Sequence, residues 1–124
     1  MKRVYVVDDS DFVRERLIEM ISELKEVEIA GGTGDPLEAV ASIREIVPDV
    51  VILDIRMPGR SGIEVLRDLK KEEPSPVVII LTNYPYSQYR KECTEAGADY
   101  FLNKSTEFNE IAEVLKGLNM NVPD

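Results

Sequence analysis

The sequence predicts an α/β protein in which five β-strands alternate with five α-helices. Short apolar runs of strand length are each followed by a segment in which apolar residues recur at helical spacing. The run Val50-Val51-Ile52-Leu53 contains three β-branched residues and no alternating polar side, as in a strand that is covered on both faces. The intervening segments are too long for hairpins. We therefore expect parallel strands joined by right-handed crossovers, with helices on both sides of the sheet.

The strands are predicted from apolar runs bounded by turn residues. They cover residues 3–7, residues 27–30, a run from residue 50 that ends at Asp54, residues 77–81 and residues 100–102. The turn-rich segment Gly31-Gly32-Thr33-Gly34 lacks the full pattern of a nucleotide-binding loop and is predicted to be a plain turn.

The helices are predicted from capping residues and apolar stripes. We expect Asp11 to cap the first helix, Asp35-Pro36 to begin the second and Ser61 to cap the third. The second helix should bury Leu37, Val40, Ile43 and Val47 and end at Pro48. Tyr86, Tyr89, Cys93 and Ala96 mark a fourth helix closed by Gly97, and Phe108, Ile111, Ala112, Leu115 and Leu118 mark a fifth.

Composition narrows the classes of function. With 124 residues the chain fits one domain, with a core of about residues 2–118 and a short tail at 119–124. The 24 acidic and 15 basic residues give a net charge of −9, which argues against nonspecific binding to nucleic acid or to an anionic membrane. The chain has no histidine and a single cysteine, Cys93, which excludes an internal disulfide, paired-Cys metal sites and Ser-His catalysis. A cytoplasmic location is expected.

Polar side chains stand at the carboxyl ends of four predicted strands. Asp8-Asp9 follows the first strand, Asp54 ends the third, Thr82 the fourth, and Lys104 follows the fifth. These ends share one edge of a parallel sheet, where functional groups collect. Two carboxylates about 5 Å apart repel by roughly 3 kcal/mol at an effective dielectric constant of about 20. Three carboxylates therefore predict a Mg²⁺ site with oxygen ligands, and Asp54 is a candidate nucleophile for a phosphoryl group.

Four motifs carry a resemblance to a known family. They are Val6-Val7-Asp8-Asp9, Leu53-Asp54-Ile55-Arg56-Met57-Pro58, Leu81-Thr82 and Ala96-Gly97-Ala98-Asp99-Tyr100-Phe101-Leu102-Asn103-Lys104. In this order and spacing the chain resembles the receiver domain of two-component response regulators, of the stand-alone chemotaxis-regulator type, over residues 2–118. The resemblance implies a flavodoxin-like (βα)5 three-layer sandwich, with a five-stranded parallel sheet in the order 2-1-3-4-5.

The resemblance also implies roles for individual residues. Asp54 is implied as the phosphorylation site. Mg²⁺, with Mn²⁺ as an alternative, is implied to bind Asp9, Asp54 and the backbone carbonyl of Arg56, with Asp8 acting mostly through a metal-bound water. Thr82 and Lys104 would contact the phosphoryl group, and Phe101 would rotate with Thr82.

The implied function is a phosphoacceptor switch and not a turnover enzyme. A sensor histidine kinase or phosphotransfer protein would be the donor. A downstream protein would bind the face of the fourth helix, fifth strand and fifth helix, and the chain would be a monomer or a phosphorylation-dependent dimer.

The sequence departs from the family pattern near the site. Ser105 follows Lys104 where many receivers have proline, so the resemblance leaves open whether this peptide bond is cis or trans, and Asn83 follows Thr82 where a smaller residue is usual. Arg56 and Tyr84 stand at the positions that tune dephosphorylation in the family. We hypothesise that their bulk hinders an attacking water and lengthens the phosphoryl lifetime.

The sequence leaves other functions open. The chain could be a receiver cut from a larger DNA-binding regulator, although it has no basic recognition helix. A flavodoxin-like cofactor binder should carry Ser, Thr or Gly in its first loop and not Asp8-Asp9. An aspartate-nucleophile phosphohydrolase usually has an acidic residue where this chain has Arg56. Tyr84, Tyr86 and Tyr89 fit a partner surface about as well as an ordinary helix start.

Overall fold

Five parallel strands form one sheet, and a helix follows each strand. The structure is a computed structural model, and it describes residues 1–57, 59, 61–84 and 87–118. The elements are β1 (Lys2–Val7), α1 (Asp11–Ser22), β2 (Val27–Thr33), α2 (Pro36–Ile46), β3 (Val50–Leu53), α3 (Gly62–Leu69), β4 (Val77–Thr82), α4 (Ser87–Glu95), β5 (Tyr100–Asn103) and α5 (Glu110–Gly117). The predicted (βα)5 alternation is confirmed.

The sheet has the order β2-β1-β3-β4-β5, with every pair of neighbours parallel. One apolar cluster holds the buried faces of α2, α3 and α4 against the sheet, and a second holds those of α1 and α5 against the opposite side. The predicted three-layer sandwich and the strand order 2-1-3-4-5 are therefore both confirmed. β3 lies at the centre, and all four of its residues are buried.

The second strand is longer than predicted. Gly31 and Gly32 pair with Tyr5 and Val6 of β1, so the plain turn predicted for residues 31–34 is wrong. A Cβ at Gly31 would lie 3.0 Å from the Tyr5 ring, and one at Gly32 would lie 3.0 Å from the Val6 carbonyl oxygen. Glycine occupies these two positions because atoms of β1 leave little room for a side chain, and not because the chain forms a turn there.

The starts of α1, α2 and α3 follow capping chemistry, with one correction to the prediction. Ser10 caps α1, with its hydroxyl accepting from the Val13 N–H at 3.2 Å, so the prediction of Asp11 as the cap is wrong. Asp35 caps α2 ahead of Pro36, and Ser61 caps α3, as predicted. Ser10 is preferred because its side chain reaches the third residue beyond it, which is the usual geometry of an N-cap.

The buried face of α2 differs from the predicted stripe. Leu37 is 67% exposed and Val47 is 52% exposed, so the prediction that these two are buried is wrong. The residues that face the sheet are Pro36, Ala39, Val40 and Ile43. Leu37 lies one residue, about 100° of helix rotation, away from Pro36. Val47 ends the helix with φ of 52°, before Pro48 is reached.

The fourth and fifth helices are shorter than their apolar patterns. Gly97 follows α4 with φ of 104°, which agrees with the predicted closure, and Cys93 is buried on the inner face. Tyr86 lies outside the described residues. Phe108 precedes α5 but is still buried with Ile111 and Leu115.

The two basic residues of β1 tie helix ends to the sheet. Lys2 Nζ donates to the Leu115 carbonyl oxygen of α5 at 2.6 Å, and Arg3 Nη1 donates to the Ile46 carbonyl oxygen of α2 at 2.8 Å. A cation at a helix C-terminus also interacts favourably with the helix dipole. Within the described ranges, every helix is too short or too polar to cross a membrane.

Candidate functional site

Three carboxylates converge at the carboxyl edge of the sheet. Asp8 follows β1 and Asp54 follows β3, and these two strands are direct neighbours. The Asp54 N–H continues the ladder by donating to the Val7 carbonyl oxygen at 3.0 Å. Each of Asp8, Asp9 and Asp54 can offer an oxygen, and these oxygens lie within 4.8 Å of one another. Asp8 and Asp54 are buried while Asp9 is exposed, so the cluster opens to solvent on the side of Asp9.

Lys104, which directly follows the carboxyl end of β5, joins this cluster. Its Nζ lies 2.8 Å from Asp8 Oδ2 and 3.2 Å from Asp54 Oδ2, and only 10% of its side chain is exposed. The Lys104 N–H donates to the Thr82 carbonyl oxygen at 2.7 Å, which brings the β5–α5 loop over the end of β4. The structure therefore brings Asp8, Asp54 and Lys104 into direct contact, as the sequence predicts.

The electrostatics of the cluster favour a further cation. Burial raises the pKa of Asp54 above its ordinary value, the charge of Lys104 opposes this rise, and the charge of Asp8 adds to it. Burial alone would lower the pKa of Lys104, but its hydrogen bonds and charge interactions with Asp8 and Asp54 raise it overall. One ammonium cannot neutralise three carboxylates. A set of oxygen-only ligands with residual negative charge fits a hard divalent ion such as Mg²⁺.

Thr82 and Phe101 lie on the neighbouring strands β4 and β5, two residues apart in the sheet register. Phe101 pairs with Ile80, and Thr82 pairs with Asn103. Thr82 is fully buried, and its hydroxyl oxygen accepts from the Tyr84 N–H at 3.0 Å. The guanidinium carbon of Arg90 on α4 lies 4.8 Å from the centroid of the Phe101 ring, which is 8% exposed. Phe101 therefore packs inward beneath α4.

Arg56 and Tyr84 lie on the two loops beside Asp54. The backbone of Arg56 lies close enough to the Asp54 carboxyl to lower its pKa slightly, and the Arg56 guanidinium stacks on the Tyr84 ring. Both side chains line an open groove of about 700 Å³ that continues toward Ser61 and Tyr89. Pro58, the last residue of the motif around Asp54, lies outside the described residues.

The two departures from the family pattern contact each other. The Ser105 hydroxyl donates to the Asn83 side-chain oxygen at 3.1 Å, which links the β4–α4 and β5–α5 loops. The peptide bond between Lys104 and Ser105 is trans. In the described part of the chain, the cis peptide bond is the one between Glu73 and Pro74. Ser105 thus has a specific partner in place of the proline seen in many receivers.

Gly62 supports the site and was missed at the sequence level. A Cβ on this residue would lie 2.0 Å from the Asp54 carbonyl oxygen and 2.7 Å from the Ile55 Cα. Its N–H donates to the Ile55 carbonyl oxygen at 2.6 Å, so α3 begins directly against the backbone of Asp54. A glycine at a first helical position lowers helix propensity, and this feature could have indicated a close backbone approach.

Comparison with known proteins gives a consistent family match. A family model described as "Response regulator receiver domain" matches residues 4–116. The chain is 34% identical over 116 residues to the DNA-binding transcriptional activator DevR/DosR of Mycobacterium tuberculosis, covering 94% of this chain and 54% of that protein. It is 42% identical over 114 residues to a protein-glutamate methylesterase/protein-glutamine glutaminase of Albidiferax ferrireducens, covering 92% and 28% respectively. The chain thus spans about half or less of the length of these curated relatives.

Solved structures resemble the whole described fold. The response regulator protein TrrA of Thermotoga maritima, solved in complex with Mg²⁺-BeF, superposes with a TM-score of 0.80 at 39% identity. That match covers 94% of this chain and 97% of the TrrA chain, so the similarity extends across the complete sheet and its helices.

Proposed function

The chain belongs to the family of response regulator receiver domains, and from this premise we propose that Asp54 accepts a phosphoryl group in the presence of Mg²⁺. Receiver domains act as signalling switches in two-component systems. The observation that carries the assignment to Asp54 is the contact of Lys104 Nζ with both Asp8 and Asp54, beside the exposed carboxylate of Asp9. This arrangement provides a nucleophile, a cation for phosphoryl oxygens and a set of oxygen ligands at one edge of the sheet.

Each residue has a defined task in phosphoryl transfer. An Asp54 carboxylate oxygen forms the new bond to phosphorus while the bond from phosphorus to the donor breaks. Lys104 offsets the charge on one phosphoryl oxygen, and the buried Thr82 hydroxyl can donate to another. Asp9, Asp54 and the Arg56 carbonyl would hold Mg²⁺, with Asp8 acting through a metal-bound water, and the ion would supply positive charge for the transferred group.

The phosphoryl group then acts as an electrostatic switch. It adds about 1.5 to 2 negative charges, the range known for phosphorylated hydroxyl residues, next to Lys104 and Thr82. Movement of Thr82 toward this charge would break its present hydrogen bond with the Tyr84 N–H, and by the resemblance Phe101 would rotate with it. We expect the face formed by α4, β5 and α5 to shift between two populated conformations. This shift changes the affinity of the face for a protein partner.

The proposal includes the partners and the location. The phosphoryl donor would be a sensor histidine kinase or a phosphotransfer protein. The output would be a downstream protein bound by a monomer or by a phosphorylation-dependent dimer, without catalytic turnover by this chain. A cytoplasmic location fits the single Cys93, which is free and buried.

A small phosphodonor tests the phosphorylation site. Incubation with acetyl phosphate and Mg²⁺ should add the mass of one phosphoryl group to the wild-type protein and none to Asp54→Ala. Asp35→Asn is a matched control, because asparagine also caps α2 and the residue lies outside the carboxylate cluster. Labelling retained in Asp54→Ala would refute Asp54 as the site.

A second candidate is that the chain is the receiver segment of a longer regulator. The observation that favours it is that the chain covers 54% of the DNA-binding activator and 28% of the methylesterase. Intact-mass measurement of the protein produced in its source cell separates the two candidates. The cofactor-binding and phosphohydrolase alternatives gain no support, since the matched family model spans residues 4–116.

A further inference from the structure

Arg14 on α1 contacts the backbone of the carboxylate cluster. Its Nη1 donates to the Asp8 carbonyl oxygen at 2.5 Å, and its Nη2 forms an ion pair with the Asp11 carboxylate. The Arg14 side chain is only 22% exposed. An arginine that is ordered in this way by two acceptors can hold a backbone group in a fixed orientation.

The carbonyl that Arg14 binds belongs to the peptide that joins Asp8 to Asp9. The other polar groups of Asp8 also have partners: its N–H donates to Thr33, Oδ1 accepts from the Ser10 N–H at 2.9 Å, and Oδ2 contacts Lys104. With the bond from Arg14 to its carbonyl oxygen, each polar group of Asp8 has a partner. The plane of the Asp8–Asp9 peptide is thereby fixed. The plane of this peptide determines the direction in which the exposed Asp9 carboxylate leaves the chain.

Gly34 makes room for this contact from a different element. It lies in the loop between β2 and α2, and a Cβ there would lie 2.6 Å from Arg14 Nη1. The atom nearest to that Cβ belongs to the tip of a flexible side chain, so Gly34→Ala would displace the guanidinium and leave the backbone intact. This variant perturbs the Arg14–Asp8 contact without changing Arg14 itself.

We propose that Arg14 is a positioning residue that sets the Mg²⁺ affinity of the site by orienting the Asp8–Asp9 peptide. This inference rests on the proposed function. Two effects of Arg14 on Mg²⁺ binding have opposite signs: its positive charge repels the ion, whereas its hydrogen bond orients the ligands. Gly34→Ala keeps the charge of Arg14 and therefore isolates the orienting effect, which we expect to dominate because the guanidinium binds the Asp8 carbonyl oxygen directly.

Mg²⁺ titration by calorimetry measures the sign directly. Arg14→Gln and Gly34→Ala should each raise the Mg²⁺ dissociation constant by about tenfold, the lower end of the effect of residues that orient metal ligands. Arg14→Lys should bind Mg²⁺ no more tightly than Arg14→Gln, because it keeps the charge that repels the ion but loses the planar fork that orients the peptide. Arg44→Gln removes the same charge from α2, where Arg44 pairs with Glu72, and should bind Mg²⁺ like wild type.

The double variant tests whether both residues act through one contact. Arg14→Gln combined with Gly34→Ala should bind Mg²⁺ no more weakly than Arg14→Gln alone, because the guanidinium that Gly34 accommodates is already absent. Phosphorylation by acetyl phosphate should return to the wild-type rate at saturating Mg²⁺ in both single variants. A role in folding alone would instead lower the melting temperature in EDTA and leave the dissociation constant unchanged.

The outcomes separate this inference from the proposed function. Tighter Mg²⁺ binding in Arg14→Gln would mean that the charge dominates, and unchanged binding in Gly34→Ala would mean that the contact has no orienting role; either result overturns the inference alone. Absence of Mg²⁺ binding by the wild type would overturn the proposed function and the inference together. If Arg14→Gln does not fold, Gly34→Ala decides the matter.

Discussion

The guanidinium carbon of Arg56 lies 4.4 Å from the centroid of the Tyr84 ring. Arg56 is two residues beyond Asp54, and Tyr84 is two residues beyond Thr82, so the contact joins the loops that follow β3 and β4. A cation–π contact at an exposed site contributes about 0.5 to 1 kcal/mol. We hypothesise that the pair partly covers one approach to the Asp54 carboxylate.

Removing this cover should shorten the lifetime of phosphorylated Asp54. We expect Arg56→Asn and Tyr84→Glu to lose phosphate faster than wild type, by roughly fivefold if about 1 kcal/mol of shielding is lost. Decay is measured by intact mass after the phosphodonor is removed, with Arg44→Asn on α2 as a control for the loss of charge. Unchanged or slower decay in both variants would contradict the shielding role.

The fold and the convergence of the site follow from simple sequence rules. Alternation of strand and helix patterns gives a parallel sheet, and the carboxyl ends of parallel strands share one edge. That rule alone brings Asp8, Asp54 and Lys104 together, and the structure confirms their contact. The prediction needed only the order of the elements and no side-chain detail.

The errors arise where a through-space contact overrides a local pattern. Gly31 and Gly32 resemble a turn in the sequence, but they extend β2 because β1 packs close against them. Gly62 carries only a weak local signal and Arg14 carries none, since their partners are the Asp54 and Asp8 carbonyl groups of other elements. Such contacts depend on the exact distance between elements, which periodicity does not specify.

Asp54 is predicted to destabilise the Mg²⁺-free protein at neutral pH. Burial raises its pKa in the folded state above the ordinary value of 3.8 that applies to the unfolded chain. At pH values between the unfolded-state and the folded-state pKa of Asp54, the folded protein holds more protons than the unfolded chain. The free energy of unfolding therefore falls as pH rises through this window. Above the window the cost of a buried, charged carboxylate is fully present.

Asp54→Asn should therefore raise the melting temperature in EDTA at neutral pH. A gain on the order of 1 kcal/mol corresponds to roughly 3 to 6 °C for a domain of this size, since the charge of Lys104 offsets only part of the cost of burying the Asp54 carboxylate. The gain should vanish below pH 3.8, where the Asp54 carboxyl is protonated in both states. Mg²⁺ should stabilise wild type more than the variant. Equal melting temperatures at neutral pH would show that the buried charge carries no penalty.

Gly62→Ala should disturb both stability and the site. The added Cβ would lie 2.0 Å from the Asp54 carbonyl oxygen, so either the start of α3 or the backbone of Asp54 must move. Overpacking of this kind typically costs about 1 to 3 kcal/mol, and a shifted Asp54 backbone should also weaken Mg²⁺ binding. Urea unfolding and Mg²⁺ titration measure the two effects.

Gly117→Ala is the matched control for Gly62→Ala. A Cβ at Gly117 meets no atom within 4 Å, and the residue ends α5, so alanine should be neutral or stabilising by up to about 1 kcal/mol. Wild-type stability of Gly62→Ala would contradict the close approach between Gly62 and the Asp54 carbonyl group.

The Cys93 thiol should be unreactive in the folded protein. The residue is fully buried on the inner face of α4, and burial, aided by the charge of Glu92, raises the pKa of the Cys93 thiol to about 11. At pH 8 only roughly one molecule in a thousand would then carry the reactive thiolate, and the side chain is also shielded from reagents. A chromogenic disulfide reagent should label the native protein far more slowly than the protein in urea.

Labelling of the native protein should be limited by unfolding, so variants that lower stability, such as Gly62→Ala, should accelerate it in proportion to their unfolded fraction. Rapid labelling of the wild type without denaturant would show that α4 opens independently of the rest of the fold.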